Sequence, residues 1–181
     1  MLRTFVQSAD LTGEALTEFK QWLGISQSSE DALLLDLLAA SLAMCEAFTG
    51  QSPLEQVVEE RVAASPARCV LTSRPVRSVA LVEAIAADGT RTALNASAYD
   101  VSVDATGVAS FRLTASAPVE TVVVQMVAGI APTWALMPNP LRQGIIRLAA
   151  HYYRDRDHEG AAQPPASVAA LWRPWRVVRL T

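Results

Sequence analysis

The sequence predicts an α+β fold: a helical core of two N-terminal helices and a long C-terminal helix, an inserted antiparallel β meander, and an extended C-terminal tail. Three observations lead there. Apolar residues recur with helical spacing twice before residue 50. From Leu54 to Val127 the period changes to two. Helical spacing then returns in Pro138–Asp157, PNPLRQGIIRLAAHYYRDRD, the stretch around which the chain is organised. The expected divisions are 1–53 for the N-terminal helices, 54–130 for the β sub-domain, 131–158 for the long helix that completes the core, and 159–181 for a flexible joint and C-terminal arm.

In chain order, the first predicted helix is Leu11–Leu23, with Leu16, Phe19 and Leu23 on its apolar face and Trp22 beside them. Asp10 or Thr12 is placed to cap it, and Gly24 to stop it. The second is Ser29–Thr49, with Ser29 as N-cap, Glu30 and Asp31 at the positive end of the dipole, and Gly50 as terminator. Leu34, Leu37, Leu38, Ser41, Met44, Cys45 and Phe48 form its stripe, and Leu33, Leu35 and Leu42 widen it past half the circumference. That breadth predicts contacts on two sides.

Seven strands are predicted next: Val57–Val62, Cys69–Thr72, Val79–Ala86, Thr90–Leu94, Tyr99–Val103, Ala109–Leu113 and Thr121–Val127. They are rich in Val and Thr and are separated by turn residues. Asp88-Gly89 is a two-residue hairpin signal, and Asp104–Gly107 is a second turn. Thr121–Val127 is nearly continuous valine, which suits a strand buried on both faces. In the long helix Leu141, Ile145, Leu148 and Tyr152 face inward, while Gln143, Arg147, His151 and Arg154 run down the other side. Beyond the joint, Ala166–Leu171 has room for one or two helical turns before WRPWRVVRLT.

Hydrophobic residues make up 51% of the chain, enough to fill a core, and charged residues only 18%. The net charge of −3 is unevenly spread: from Leu141 onward seven arginines face three acids, so the preceding part is acidic. A basic end on an acidic body suits contact with an acidic surface, including one on a second copy. The two cysteines, Cys45 and Cys69, carry no C-x-x-C spacing, and nothing points to an oxidising compartment. No signal peptide is seen and no apolar run near 18 residues, so the expectation is a soluble intracellular protein with no membrane contact.

Catalytic signatures are missing. There is no G-x-G-x-x-G, no G-x-x-x-x-G-K-[ST] and no G-x-S-x-G. His151, Asp155 and His158 are spaced for one helix face and form the sharpest metal reading. Solvated residues at a helix end explain them better, because imidazole and arginine suit the C-terminal dipole. Glu59-Glu60 sits in a strand, where neighbours point to opposite faces, so it is no acid/base pair. No cofactor is expected. Trp172, Arg173, Trp175 and Arg176 cluster in the tail. Three readings stay open for them: an aromatic–basic nucleic-acid element, an anchor into a protein partner, or an intramolecular clasp onto the sheet.

The order of these elements resembles the head–tail connector (adaptor) family of tailed bacteriophages and gene transfer agents. The resemblance is carried by LTGEALTEFKQWL at Leu11–Leu23, EDALLLDLLAASLAMCEAFTGQ at Glu30–Gln51, LTSRPVRSVALVEA at Leu71–Ala84, the Pro138–Asp157 helix and the closing PPASVAALWRPWRVVRL. It implies a non-enzymatic ring, commonly a dodecamer, beneath the portal protein. Such a ring extends the DNA channel, lets DNA pass without sequence-specific binding, and gives the tail, its stopper or its terminator a docking surface. The implied location is the bacterial cytoplasm during assembly and then the neck of a virion or phage-like particle. The C-terminal arm would reach the portal, with Trp172, Arg173, Trp175, Arg176, Arg179 and Leu180 as contact candidates. Arg142, Arg147, Tyr153, Arg154 and Arg156 on the basic face are ring-interface candidates. On this reading Leu171–Thr181 is unordered or displaced before assembly. The alternative is a monomeric intracellular module that binds a ligand or peptide through the β insert.

Overall fold

The two periodicities in the sequence become two units in the computed structural model, which describes residues 2–115, 119–154 and 163–177. One unit comprises 1–8 and 55–129, the other 9–54 and 130–181. The mixture of helices with antiparallel sheet is the α+β class expected.

Among the described residues the β unit has eight strands: β1 (Leu2–Gln7), β2 (Gln56–Ala63), β3 (Cys69–Val70), β4 (Val76–Ile85), β5 (Arg91–Ala93), β6 (Tyr99–Val103), β7 (Ala109–Leu113) and β8 (Thr121–Ala128). They do not form one meander. A five-stranded sheet has the order β1-β2-β8-β4-β5, and a three-stranded sheet has the order β3-β7-β6. Strand β8 lies at the centre of the larger sheet, with Val122, Val123 and Val124 all buried, as a near-continuous valine run requires. The inner faces of the two sheets share one core, to which Val58, Val82, Phe111, Leu113, Val124 and Met126 contribute. The hairpins expected at Asp88-Gly89 and Asp104–Gly107 join β4 to β5 and β6 to β7.

Two differences from the sequence expectation have local causes. Strand β1, antiparallel to β2, falls where no strand was expected. Its register breaks at a bulge between Phe5 and Gln7, and Leu2, Phe5 and Val6 are all exposed, so no clean alternation marks it. Strand β3 stops after Val70 because the N–H groups of Thr72 and Ser73 turn to the buried Glu60 carboxylate instead of continuing the ladder.

The helical unit contains α1 (Glu14–Leu23), α2 (Asp31–Thr49), α3 (Asn139–Arg154) and α4 (Ala166–Trp172), followed by a 3-10 turn at Arg173–Trp175. Helix α1 begins later than expected. Gly13 occupies its N-cap without a side-chain cap, and Asp10 instead accepts hydrogen bonds from the Thr12 N–H and hydroxyl. Helix α2 likewise starts two residues late, with Glu30 at its N-cap. Gly24 and Gly50 end α1 and α2 in the left-handed conformation that glycine adopts without strain. Phe19, Leu34, Leu38, Leu141, Ile145 and Leu148 meet in the core of this unit. Lys20 Nζ donates to Asp31 Oδ1 at 2.6 Å, linking α1 to α2. Helix α2 also corrects an expectation about membranes: an 18-residue window of it has mean hydropathy 1.7, long and apolar enough by length and composition to cross a bilayer. The stripe Leu34, Leu38, Ser41, Cys45 and Thr49 is nevertheless packed inside the protein.

Candidate partner-binding surfaces of the helical unit

The C-terminal segment is held against the helices by a sequence of specific contacts. Trp172 is fully buried, and its Nε1–H donates to the Leu141 carbonyl at 3.3 Å. Gly144, one turn along α3, makes room for the indole: a Cβ there would come within 2.1 Å of Trp172 Nε1. The Phe48 ring of α2 lies 6.0 Å from the Trp172 ring, and the Arg176 guanidinium stands 5.7 Å from the Phe48 centroid. Gln51 Nε2 donates to the Trp175 carbonyl at 2.6 Å, and the Val177 N–H donates to the Thr49 carbonyl at 2.8 Å. A groove of about 340 Å³ runs alongside, lined by Met44, Phe48, Pro164, Ala169 and Arg176.

These contacts correct the place given to Trp172 and to the start of the tail. Leu171–Val177 is packed onto its own unit, and Trp172 is a core residue because its large apolar surface finds Gly144 and Phe48. The clasp is made onto helices, not onto a sheet. Arg173 and Arg176 remain exposed and Trp175 is half-buried, so the polar side of the segment stays available. Arg179 and Leu180 lie outside the described residues.

The arginines of α3 divide into two kinds. Arg142 is engaged at home: it pairs with Glu18 at 3.5 Å, donates to Asn139 Oδ1 at 2.9 Å and reaches the Ala135 carbonyl. Glu18 also accepts from Trp134 Nε1 at 2.7 Å, in a cleft of about 700 Å³ between α1 and the loop before α3. Tyr153 is committed too, its hydroxyl donating to Glu30 Oε2 at 2.7 Å. Arg147 and Arg154 are exposed; Arg147 stands 6.0 Å from the Trp22 centroid, and Arg154 forms no ion pair with any described residue. Arg156, Asp155 and His158 lie outside the described residues, leaving His151 as the described member of the metal trio.

No protein-family model and no curated protein matches the chain. Solved structures do. The chain is similar over its whole length to a component of the neck of an empty gene transfer agent particle computed with C6 symmetry, at 26% identity and a TM-score of 0.80, covering 98% of that component. A component of the native gene transfer agent virion matches at 27% identity and TM-score 0.78, and one of the native neck computed with C12 symmetry at 28% and 0.78; each match covers 100% of this chain and 98% of the other. This full-length likeness supports the resemblance to head–tail connectors carried by the sequence. This connector is a structural protein, not an enzyme. What sequence reasoning missed is the division within the tail: Trp172 is buried as an anchor while Arg173 and Arg176 stay exposed. Gly144, whose missing side chain admits the indole, was the available signal.

Proposed function

We propose that this connector forms a ring in the neck of a phage-like particle, beneath the portal protein. The ring extends the DNA channel and offers its far side to the stopper or tail terminator. The full-length likeness to neck components, one of them in a structure computed with C12 symmetry, supports this reading most strongly. A monomeric ligand-binding role for the β unit is not favoured by that likeness.

Within the ring, the anchored C-terminal segment is the portal contact. Trp172 fixes the segment to α2 and α3, so Arg173 and Arg176 are presented from a rigid base. Pre-organisation of this kind lowers the ordering cost of docking, and arginine is a residue that commonly dominates interfaces. The test is particle assembly with the Arg173→Ala/Arg176→Ala variant as the sole copy. At least a tenfold fall in tailed particles is expected, with an unchanged melting temperature. Normal tailing would remove the segment from the portal contact.

A further inference from the structure

Helix α2 is apolar nearly all round, yet it is packed on one side only. Leu34, Leu38, Ser41, Cys45 and Thr49 face the core. Diametrically opposite, Ala32, Asp36, Ala39, Ala40, Ala43 and Ala47 are all exposed. Only 28% of the most apolar 18-residue window is buried inside the protein. A helix without a polar face is normally covered on every side. We infer that the outer face of α2 is the ring interface and that its occupant is the exposed arginine strip of α3 on the next copy.

This rests on the ring reading above and adds which surfaces meet. The charges favour this pairing. Helix α2 carries three acids and no base: Asp31 is paired with Lys20 and Glu46 accepts from Ser52 Oγ, whereas Asp36 has no hydrogen bond or ion pair with any described residue. Helix α3 carries three arginines and no acid, and Arg147 and Arg154 share its one exposed strip. The alanines let a second helix approach closely, at the short end of the usual 8–10 Å axial separation. Asp36 then lies within reach of Arg147 or Arg154. Because the two faces are different patches of one unit, the contact is heterologous, the kind that repeats around a closed ring. A bilayer is the other surface that could cover an apolar helix. Asp36 in the middle of the exposed face opposes it, as does a stripe that cannot leave the core without unfolding the unit.

Three forms of the full chain test the inference, each supplied as the sole copy to assembling particles, with neck rings counted by electron microscopy. The Asp36→Arg variant is expected to lower ring-bearing particles at least tenfold. The triple variant Asp36→Arg/Arg147→Asp/Arg154→Asp, which restores opposite charges at every interface, is expected to regain most of them. Rings at wild-type frequency with Asp36→Arg would overturn the inference and leave the connector reading intact. So would a triple variant that melts like wild type yet forms no rings, or wild-type chain floating with phosphatidylcholine vesicles. Failure to find wild-type chain in neck rings at all would overturn both readings.

Discussion

Glu60 shows how much one side chain settles in the β unit. It is wholly buried, and its carboxylate accepts from the Thr72 N–H at 2.8 Å, the Ser73 N–H at 2.6 Å and the Ser73 hydroxyl at 2.6 Å. Removing it strands those donors away from water, at about 1–3 kcal/mol each. Glu60→Ala is therefore expected to lower unfolding free energy by roughly 3 kcal/mol in urea titrations, whereas Glu59→Ala should cost about 0.5 kcal/mol, the scale of an exposed ion pair. Glu59 pairs with Arg91 at 3.0 Å on the outer face. That the two neighbours point to opposite faces was legible from strand alternation. Which one is buried was not, because the partners of Glu60 are two backbone N–H groups and a hydroxyl of a turn twelve to thirteen residues on. The cysteines make a second residue-scale case. Burial pushes both thiols up, far more for Cys45, which is fully enclosed, than for Cys69, whose Sγ lies 3.4 Å from the Phe111 carbonyl. Since the thiolate is the reactive form, iodoacetamide at pH 8 should label Cys69 slowly and Cys45 only after denaturation, as read by mass spectrometry. Equal labelling of both in the native protein would contradict the packing of α2.

The attachment of α4 decides the behaviour of the C-terminal segment. Trp172 occupies space that exists because residue 144 has no side chain. Gly144→Ala sits in a helix and is favoured by propensity by about 1 kcal/mol. The added methyl must displace the indole, and overpacking costs about 1–3 kcal/mol. The net expectation is lower stability together with faster tryptic cleavage after Arg176, the Arg173 bond being protected by Pro174; unchanged cleavage would show that the indole is not what holds the segment. Elements with a strong period of their own were legible at this scale: α1, α2 and α3 from their apolar stripes, and the hairpins from their turn residues. The strand order was not. Strands β2, β8 and β4 are adjacent through packing between residues far apart in sequence, and only the valine run of β8 hinted at a central place. The tail was half legible: its tryptophans and arginines stood out, but the pocket for one indole is built by α3 and α2.

For the whole molecule, function lies in surfaces and not in a reaction centre. An acidic, alanine-lined face on α2, an arginine strip on α3 and an anchored Arg173–Arg176 segment are separate patches, which the proposed ring would use for its neighbours and for a partner. Heterologous patches of this kind generate rings when the rotation between copies closes. The likeness to neck components extends over the full chain, so both units are part of that design. The most direct measurement is cryo-electron microscopy of particles carrying a tagged form of this connector as the sole copy. Tag density is expected in a closed ring around the channel at the neck, with the twelve-fold symmetry of the similar native neck. Particles with normal tails and no tag density at the neck would contradict it.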